Sequence, residues 1–425
     1  MHVLIIGSGG REHALGWAIY KSHHKPRITT IPGNAGTSRV GHNVDLDIDN
    51  FDGIAEYAFK NEVDLVVVGP EAPLVAGLAD ALIVKGIKVF GPVAEAAVVE
   101  GSKVFTKEFC ARHGIPSADY VLFDDAEAAH KFVNDRAEET CVVKVDGLAA
   151  GKGAIVCDDK IDAHSAVDTC LVEKKFGDAG NRIIIEDRLT GFETTLLTLV
   201  AGNEYRKFLY SQDHKRAYDG DRGPNTGGMG VFAPTPKISD EMDARITKEI
   251  LEPTLNGLIE EGINYTGCLY FGLMITDGGP NLIEYNCRFG DPEAQAVLPL
   301  MDGDFLDALI ACTEKKLGEI ELKPSGKKSL TVILASEGYP DEYEKGLDIT
   351  EQVLELEETN DLLVFHAGTR QGAGKISTSG GRVLAVTAVD TDFEKCRKKL
   401  YYKINGINFV GLFYRQDIGH ELVSV

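Results

Sequence analysis

Along the first hundred residues, short apolar runs alternate with segments whose apolar positions recur every three to four residues. Residues 2–6, 28–31, 65–68 and 88–90 predict strands, and residues 12–21, 52–60 and 74–84 predict helices. Strand–helix–strand order implies a parallel sheet. Near Gly101 the rhythm changes. Ser102 is a helix N-cap signal, Gly114 a stop, and Pro116 bars continuation, so residues 103–113 predict a helix. Residues 121 to about 196 predict a small α/β unit. Residues 194 to about 312 predict a β-rich unit, with an apolar strand around 208–210. From Ser329 strands and helices alternate again, with strands at 330–335, 362–365, 382–389 and 409–414 and a basic amphipathic helix at 393–404.

Composition narrows the class. A length of 425 residues suggests roughly two to four domains. A net charge of −22 disfavours nucleic acid and anionic membranes as partners of the whole surface. The 8 cysteines include no CxxC pair and sit mainly in apolar runs, which fits buried free thiols in a reducing cytoplasm. The apolar run 3–6 is too short for a signal sequence or a membrane span.

The chemistry centres on residues 143–153, VKVDGLAAGKG. Apolar, β-branched residues precede and follow it, so it predicts a strand–loop–strand hairpin. Gly147, Gly151 and Gly153 let backbone N–H groups approach an anion, with Lys152 among them and Lys144 aimed from the first strand. A Walker A loop would need a hydroxyl at Gly153, one more residue between Gly147 and Gly151, and a following helix. A protein-kinase lid would need HRD and DFG partners, and the chain has neither. A flexible lid over a polyphosphate fits, as does a plain glycine-rich hairpin.

Other loops carry polar groups. In GSGGREH (7–13) the third fingerprint position of a dinucleotide site is Glu12, and no acid ends the second strand. One phosphate on Gly9, Gly10 and the helix N-terminus, beside Arg11, fits better than a nicotinamide or flavin. Asn34 in PGNAGT and Glu71 in GPEAPL fall at the same sheet edge, where ligands of parallel sheets sit. Lys103 and Lys107 share a helix face at i, i+4, a spacing that usually means a solvated pair. Glu186, Asp187 and Glu193 follow a buried strand; beside a phosphate lid they could accept from adenine and ribose. Residues 211–216, SQDHKR, are dense in polar groups, and 220–230 form a long glycine-rich loop. In NLIEYNCRFGDPE (281–293), strand alternation puts Glu284, Asn286 and Arg288 on one face. A carboxylate and an amide oxygen two apart suit Mg²⁺ or Mn²⁺. Beyond Ser329 no residue demands chemistry; His366 to Thr369 and Gly380, Gly381 and Arg382 read as turns that could face a site.

Taken in order, GSGGREHA, PGNAGT, VGPEAPL, EGSKVFTK, DGLAAGKG, SQDHKR, GPNTGGMG and EYNCRFGDPE resemble the phosphoribosylamine–glycine ligase family of the ATP-grasp superfamily, over nearly the whole chain. The resemblance implies an α/β ATP-grasp fold with a Rossmann-like N-terminal domain (1–101), a connecting helix (102–120), a mobile lid (121–193), a catalytic subdomain (194–327) and a C-terminal α/β domain (328–425). It implies that Lys103 and Lys144 contact ATP phosphates beneath the lid loop of Gly147, Gly151, Lys152 and Gly153. Glu186 and the backbone of Asp187 and Leu189 would hold adenine, Glu193 the ribose, and Glu284 and Asn286 the metal. Gly9, Gly10, Arg11, Asn34 and Glu71 would hold 5-phosphoribosylamine, and Asp213, Asn225 and Arg288 would surround glycine and the acyl phosphate. Two positions depart from the family: Arg188 replaces an aromatic, and Phe192 replaces one acid of a pair, leaving Glu193 alone.

The implied reaction joins glycine to 5-phosphoribosylamine through glycyl phosphate, with Lys144, Asp213 and Arg288 in catalytic roles. It is a step of de novo purine biosynthesis, carried out in the cytoplasm by a monomer or weak oligomer. A different ATP-grasp ligase or carboxylase acting on a ribonucleotide is the nearest rival, and a non-catalytic ATP sensor is a rival of another class.

Overall fold

The structure, a computed structural model, describes residues 1–149, 151–356 and 359–423. The lid loop therefore runs through one residue, Ala150, that lies outside the described set. At the N-terminus the strands His42–Asn43, Arg27–Pro32, His2–Gly7, Leu65–Val68 and Val89–Phe90 lie side by side in that order, all parallel. The central strands His2–Gly7 and Leu65–Val68 are buried throughout because helices cover both faces, as parallel sheets require, while the edge strand His42–Asn43 is not. Strand order reverses between His2–Gly7 and Leu65–Val68, so the loops 7–13 and 69–74 flank the switch point.

One helix expected here is two. Glu71–Val75 and Leu78–Val84 are separated at Gly77, whose φ of +90° ends the first and starts the second. Apolar spacing runs across that glycine and hides the break. After a short helix, Ala94–Gly101, that was not expected, the helix Lys103–His113 follows expectation closely: Ser102 Oγ accepts from Phe105 N at 3.1 Å, and Gly114 closes it at φ +64°.

The lid is an antiparallel sheet ordered Tyr120–Phe123, Ile183–Asp187, Cys141–Val145, Ala154–Cys157. The helices Ala126–Asp135 and Lys160–Val167 bury Ala129, Val133, Ala163 and Val167 against it in a core of its own. A second antiparallel sheet, Glu204–Lys207, Phe192–Ala201, Thr266–Thr276, Gly279–Asn286, forms the floor. Its last pair carries a bulge: Gly272 faces Glu284 and Leu273 faces Leu282, so Ile283 is the extra residue.

The third large sheet mixes distant segments. Gln212–Asp213 and Gly230–Ala233 join Lys328–Ser336, Arg382–Asp390 and Leu362–His366. Residues 208–210, expected as a strand, lie between strands; there the chain crosses from one sheet to the other, with Phe208 buried. The expected strand 409–414 shrinks to Leu412–Phe413, since Gly411 has a φ of +73°. The expected loop 220–230 is largely a hairpin, Arg216–Tyr218 with Arg222–Asn225. Arg415, 1% exposed, fastens it by donating to Asp221 Oδ1 at 2.7 Å and Arg216 O at 3.1 Å. One continuous core joins the units, with Leu15, Leu197, Phe289, Ile333 and Phe365 in it. All eight cysteines are free and buried. Among the described residues no helix is long and apolar enough to cross a membrane.

Candidate active site

A cavity of about 1000 Å³ opens between the lid sheet, the helix Lys103–His113 and the floor sheet. The two helix lysines do not form a solvated pair: both turn inward. Lys103 Nζ donates to Gly147 O at 2.9 Å, and Lys107 Nζ to Ala118 O at 2.8 Å. Burial lowers the pKa of each. Asp146 joins the loop to this helix, its Oδ1 accepting from Ser102 Oγ at 2.8 Å and Val104 N at 3.2 Å. Gly147 itself sits at φ +148° with Ala179 against it, a position no side chain fits.

Lys144, on the lid strand, reaches across the cavity. Its Nζ lies 2.9 Å from Glu186 Oε2 and donates to Ile283 O at 3.3 Å. Ile283 is the bulged residue, so its carbonyl is off the sheet ladder and turned toward the lid. Glu186, 4% exposed, stands between Lys144 and Lys107, whose Nζ is 3.3 Å from Oε1. That Oε1 is buried, and Lys107 meets it as an ion pair outside hydrogen-bond geometry. Asp187 accepts from Arg136 Nη2 at 2.8 Å, and Leu189 lines the same wall.

On the floor, Glu284 and Asn286 both line the cavity. Burial opposes ionisation of Glu284, but Lys215, Lys144, Lys103 and Arg288 outweigh it and lower its pKa. An ionised carboxylate beside an amide oxygen is a hard-oxygen donor set, so these residues fit a magnesium-class ion. Lys215, unflagged by sequence reasoning, is central: its Nζ lies 2.9 Å from Glu193 Oε2. Burial works against its charge, yet Glu193 and Asp213 hold its pKa well above the usual lysine range. The available signal was alternation, since Asp213 and Lys215 are two apart just where a strand ends. Asp213 has a raised pKa, chiefly from burial. Burial and the neighbouring Asp213 push Glu293 up to about 7, and Tyr270 Oη donates to its Oε1 at 3.1 Å.

Arg288 is bracketed by carboxylates from the N-terminal unit. Its Nε donates to Glu71 Oε2 at 3.1 Å, and its Nη2 lies 3.3 Å from Glu100 Oε1. Glu100 Oε2 also accepts the Cys287 N–H at 2.7 Å. Burial opposes the charge on Glu71, but Arg288 and Arg11 overcome it and hold its pKa at about 2. Glu100, in the last turn of the helix Ala94–Gly101, was missed because it has no nearby partner in sequence. Asn225 lines the cavity, and the turn after it is held from the C-terminal unit. Arg382 Nη1 donates to Gly227 O at 2.5 Å and Asp291 O at 2.8 Å, and Tyr339 Oη accepts from Gly227 N at 3.0 Å. The turn at Arg382, which the sequence marked only as one that could face a site, thus reaches it.

Gly9, Gly10, Arg11, Asn34 and Lys152 do not line this cavity. Gly9 N donates to Glu12 Oε2 at 2.5 Å, and Arg11 N to Asp291 Oδ2 at 3.3 Å, so the first helix meets two of the chain's own carboxylates. Arg11 Nε contacts Glu12 Oε1 at 2.5 Å and Nη1 donates to Phe289 O at 3.2 Å. Asn34 Nδ2 donates to Ser8 O and His366 O, both at 2.8 Å, and fastens this loop to the C-terminal unit. Lys152 Nζ donates to Pro340 O at 2.7 Å, carrying the lid loop onto the same unit.

Comparison with known proteins covers this whole arrangement. Residues 1–100, 101–294 and 329–421 match the N, ATP-grasp (A) and C domains of phosphoribosylglycinamide synthetase. A phosphoribosylamine–glycine ligase of Yersinia pestis is 45% identical over 428 residues, covering 100% of this chain and 99% of that one. The trifunctional purine biosynthetic protein adenosine-3 of Gallus gallus is also 45% identical; the chain spans 42% of its length. The crystal structure of phosphoribosylamine–glycine ligase from Thermotoga maritima superposes with a TM-score of 0.85 at 35% identity, covering 98% of this chain and 100% of that one. A biotin carboxylase domain from Hydrogenobacter thermophilus, in complex with MgADP and bicarbonate, shares the fold at 14% identity and a TM-score of 0.73.

Proposed function

The chain belongs to the phosphoribosylglycinamide synthetase family of ATP-grasp ligases, and on that premise we propose that it joins glycine to 5-phosphoribosylamine, with ATP consumed to ADP and phosphate. The observation that carries the reading is the contact of Lys144 with Ile283 O, which brings the glycine-rich lid and the Glu284–Asn286 pair to one cavity.

Glycine's carboxylate is a poor acyl donor because oxide is a bad leaving group. Its attack on the γ-phosphorus gives glycyl phosphate and ADP. The amine of phosphoribosylamine then attacks the acyl carbon and expels phosphate. Charge develops on phosphoryl oxygens, so the protein contributes position and positive charge. Lys103 and Lys144 face the phosphates, and Gly147, Gly151, Lys152 and Gly153 close over them and exclude water that would hydrolyse the acyl phosphate. Glu284 and Asn286 would hold the divalent cation, which would neutralise phosphate charge.

Glu186, ion-paired with Lys107 and Lys144, keeps carboxylate lone pairs for an adenine amino donor, with backbone at Asp187 and Leu189 beside it and Glu193 near the ribose. Asp213, Asn225 and Arg288 surround glycine and the acyl phosphate. Glu71, beside Arg288, marks the approach of phosphoribosylamine from the loops bearing Gly9, Gly10, Arg11 and Asn34. The protein works on small molecules in the cytoplasm, as a monomer or weak oligomer, a setting consistent with eight unpaired buried thiols.

The test is ADP release by the purified chain with phosphoribosylamine and Mg²⁺, with glycine present, omitted, or replaced by bicarbonate or formate. Glycine-dependent release with glycinamide ribonucleotide formed is the expected result. Equal release with bicarbonate or formate would move the chain to another ATP-grasp chemistry. ATP binding without any release would make it a sensor.

A further inference from the structure

The first helix, Gly10–Tyr20, touches the helix Phe305–Thr313, which lies nearly three hundred residues later. Just past the first helix stand His23 and His24. Asp304 caps the second helix, and Asp307 lies in its first turn. None of these residues lines the nucleotide cavity. His24 Nε2 is 2.7 Å from Asp307 Oδ1; His23 Nδ1 is 2.7 Å from Asp304 Oδ2 and 3.8 Å from Asp307 Oδ2. The two imidazole rings lie side by side, 4.2 Å between centroids.

We propose that His23, His24 and Asp307 form a surface site for a zinc-class transition-metal ion that fastens the N-terminal unit to the central one. One ligand atom from each lies within 4.8 Å of the other two. Two imidazoles and a carboxylate are donors for Zn²⁺, Ni²⁺ or Cu²⁺, whereas Mg²⁺ takes oxygen and retains water. Bonds of about 2.0–2.1 Å in a tetrahedron place ligand atoms about 3.3 Å apart. The observed separations of 2.7 and 3.8 Å lie on either side of that value, so side-chain rotation alone can close the shell. The His23 side chain is 67% exposed, which leaves a coordination position to water.

Asp304 supports the site from behind. Its Oδ2 accepts from Ser22 Oγ at 2.8 Å and His23 N at 2.9 Å, and its Oδ1 accepts from Leu306 N at 2.9 Å and Asp307 N at 3.2 Å. It therefore positions both His23 and the turn that carries Asp307. Its Oδ2 also meets His23 Nδ1 at 2.7 Å, so an ion at Nδ1 replaces that one contact while the bonds to Ser22 Oγ and the His23 N–H keep the segment in place. Exposed histidine–aspartate pairs contribute little to stability on their own. Two such pairs, adjacent and sharing Asp307, present a donor set already assembled before an ion arrives.

The test uses full-length protein stripped with chelator and kept in excess Mg²⁺, so that oxygen-rich sites are filled. Wild type is expected to take up one equivalent of Zn²⁺ in competition with a colorimetric indicator, and its thermal midpoint should rise. Cu²⁺ should quench Trp17, the chain's one tryptophan, which lies on the first helix. His23→Gln/His24→Gln should weaken Zn²⁺ by at least ~10-fold and abolish both the midpoint shift and the quenching, with glycine-dependent turnover unchanged. Asp307→Asn, which keeps the side-chain shape, should weaken Zn²⁺ similarly. Absence of Zn²⁺ uptake by wild type, or equal affinity in wild type and both variants, would overturn the proposal.

Discussion

The chain has two loops that combine glycines with a basic residue, and the fold treats them oppositely. At Gly147–Gly153 the basic groups of the neighbouring elements face a cavity: Lys103 touches the Gly147 carbonyl, and Lys144 the Ile283 carbonyl and one carboxylate, Glu186. At Gly7–Gly10 the helix N-terminus is met by Glu12 and Asp291, and Arg11 lies between Glu12, Glu71 and Phe289 O. A helix N-terminus attracts any anion, including the protein's own carboxylates. The contrast shows that glycine and charge define a candidate anion loop, while carboxylates from elsewhere in the chain decide whether its charge is left for a ligand.

The contrast breaks most directly at the cation clamp. Glu284→Ala with Asn286→Ala should leave no measurable magnesium-dependent ADP release; normal turnover would remove both as ligands. Lys144→Ala should lower kcat by about 10²-fold or more, because a phosphate-facing charge acts strongly in a closed site. Steady-state ADP release measures it, and an unchanged kcat would reduce Lys144 to a strand residue.

Arg11→Ala should act in the opposite way. Removing one member of a buried ionic cluster leaves Glu12 and Glu71 short of a partner, so a loss of about 3 kcal/mol in urea unfolding is expected. A variant of native stability whose only defect is a raised KM for phosphoribosylamine would show that Arg11 serves the ligand and not the ionic cluster.

The smallest effect concerns Glu293. Its folded-state pKa, raised to about 7, exceeds the ordinary carboxylate value, so its contribution to stability is present below about pH 4.5 and is lost as pH rises through 7. Relative to Glu293→Gln, the ligand-free wild type should therefore lose on the order of 1–3 kcal/mol between pH 4.5 and 7.5. Parallel stability curves for the two proteins would show that Glu293 ionises normally.

Local signals were legible where a single segment carried them. The strand Leu65–Val68 and the helix Phe393–Ile404 match their apolar patterns, and Ser102 and Gly114 bound their helix as cap and stop. Grouping of the lid, hinge and floor residues around one nucleotide came from motif order. Lys215, Glu100 and Glu12 were not legible as site residues, and Arg382 only as part of a turn that could face one. Each acquires its role from a partner: Lys215 from Glu193, Glu100 from Arg288, Glu12 from Gly9 and Arg11, and Arg382 from Gly227 and Asp291. Even the near-sequence pairs depend on how the loop is folded around them.

Periodicity, caps and glycine placement act over a few residues, so the chain alone determined the parallel N-terminal sheet, the lid hairpin and the identity of the family. Charge compensation acts through space between segments hundreds of residues apart. Only the tertiary structure could decide that Glu71 and Glu100 bracket Arg288, that the Ile283 bulge turns a carbonyl to Lys144, and that Arg382 of the last sheet holds the turn beside Asn225.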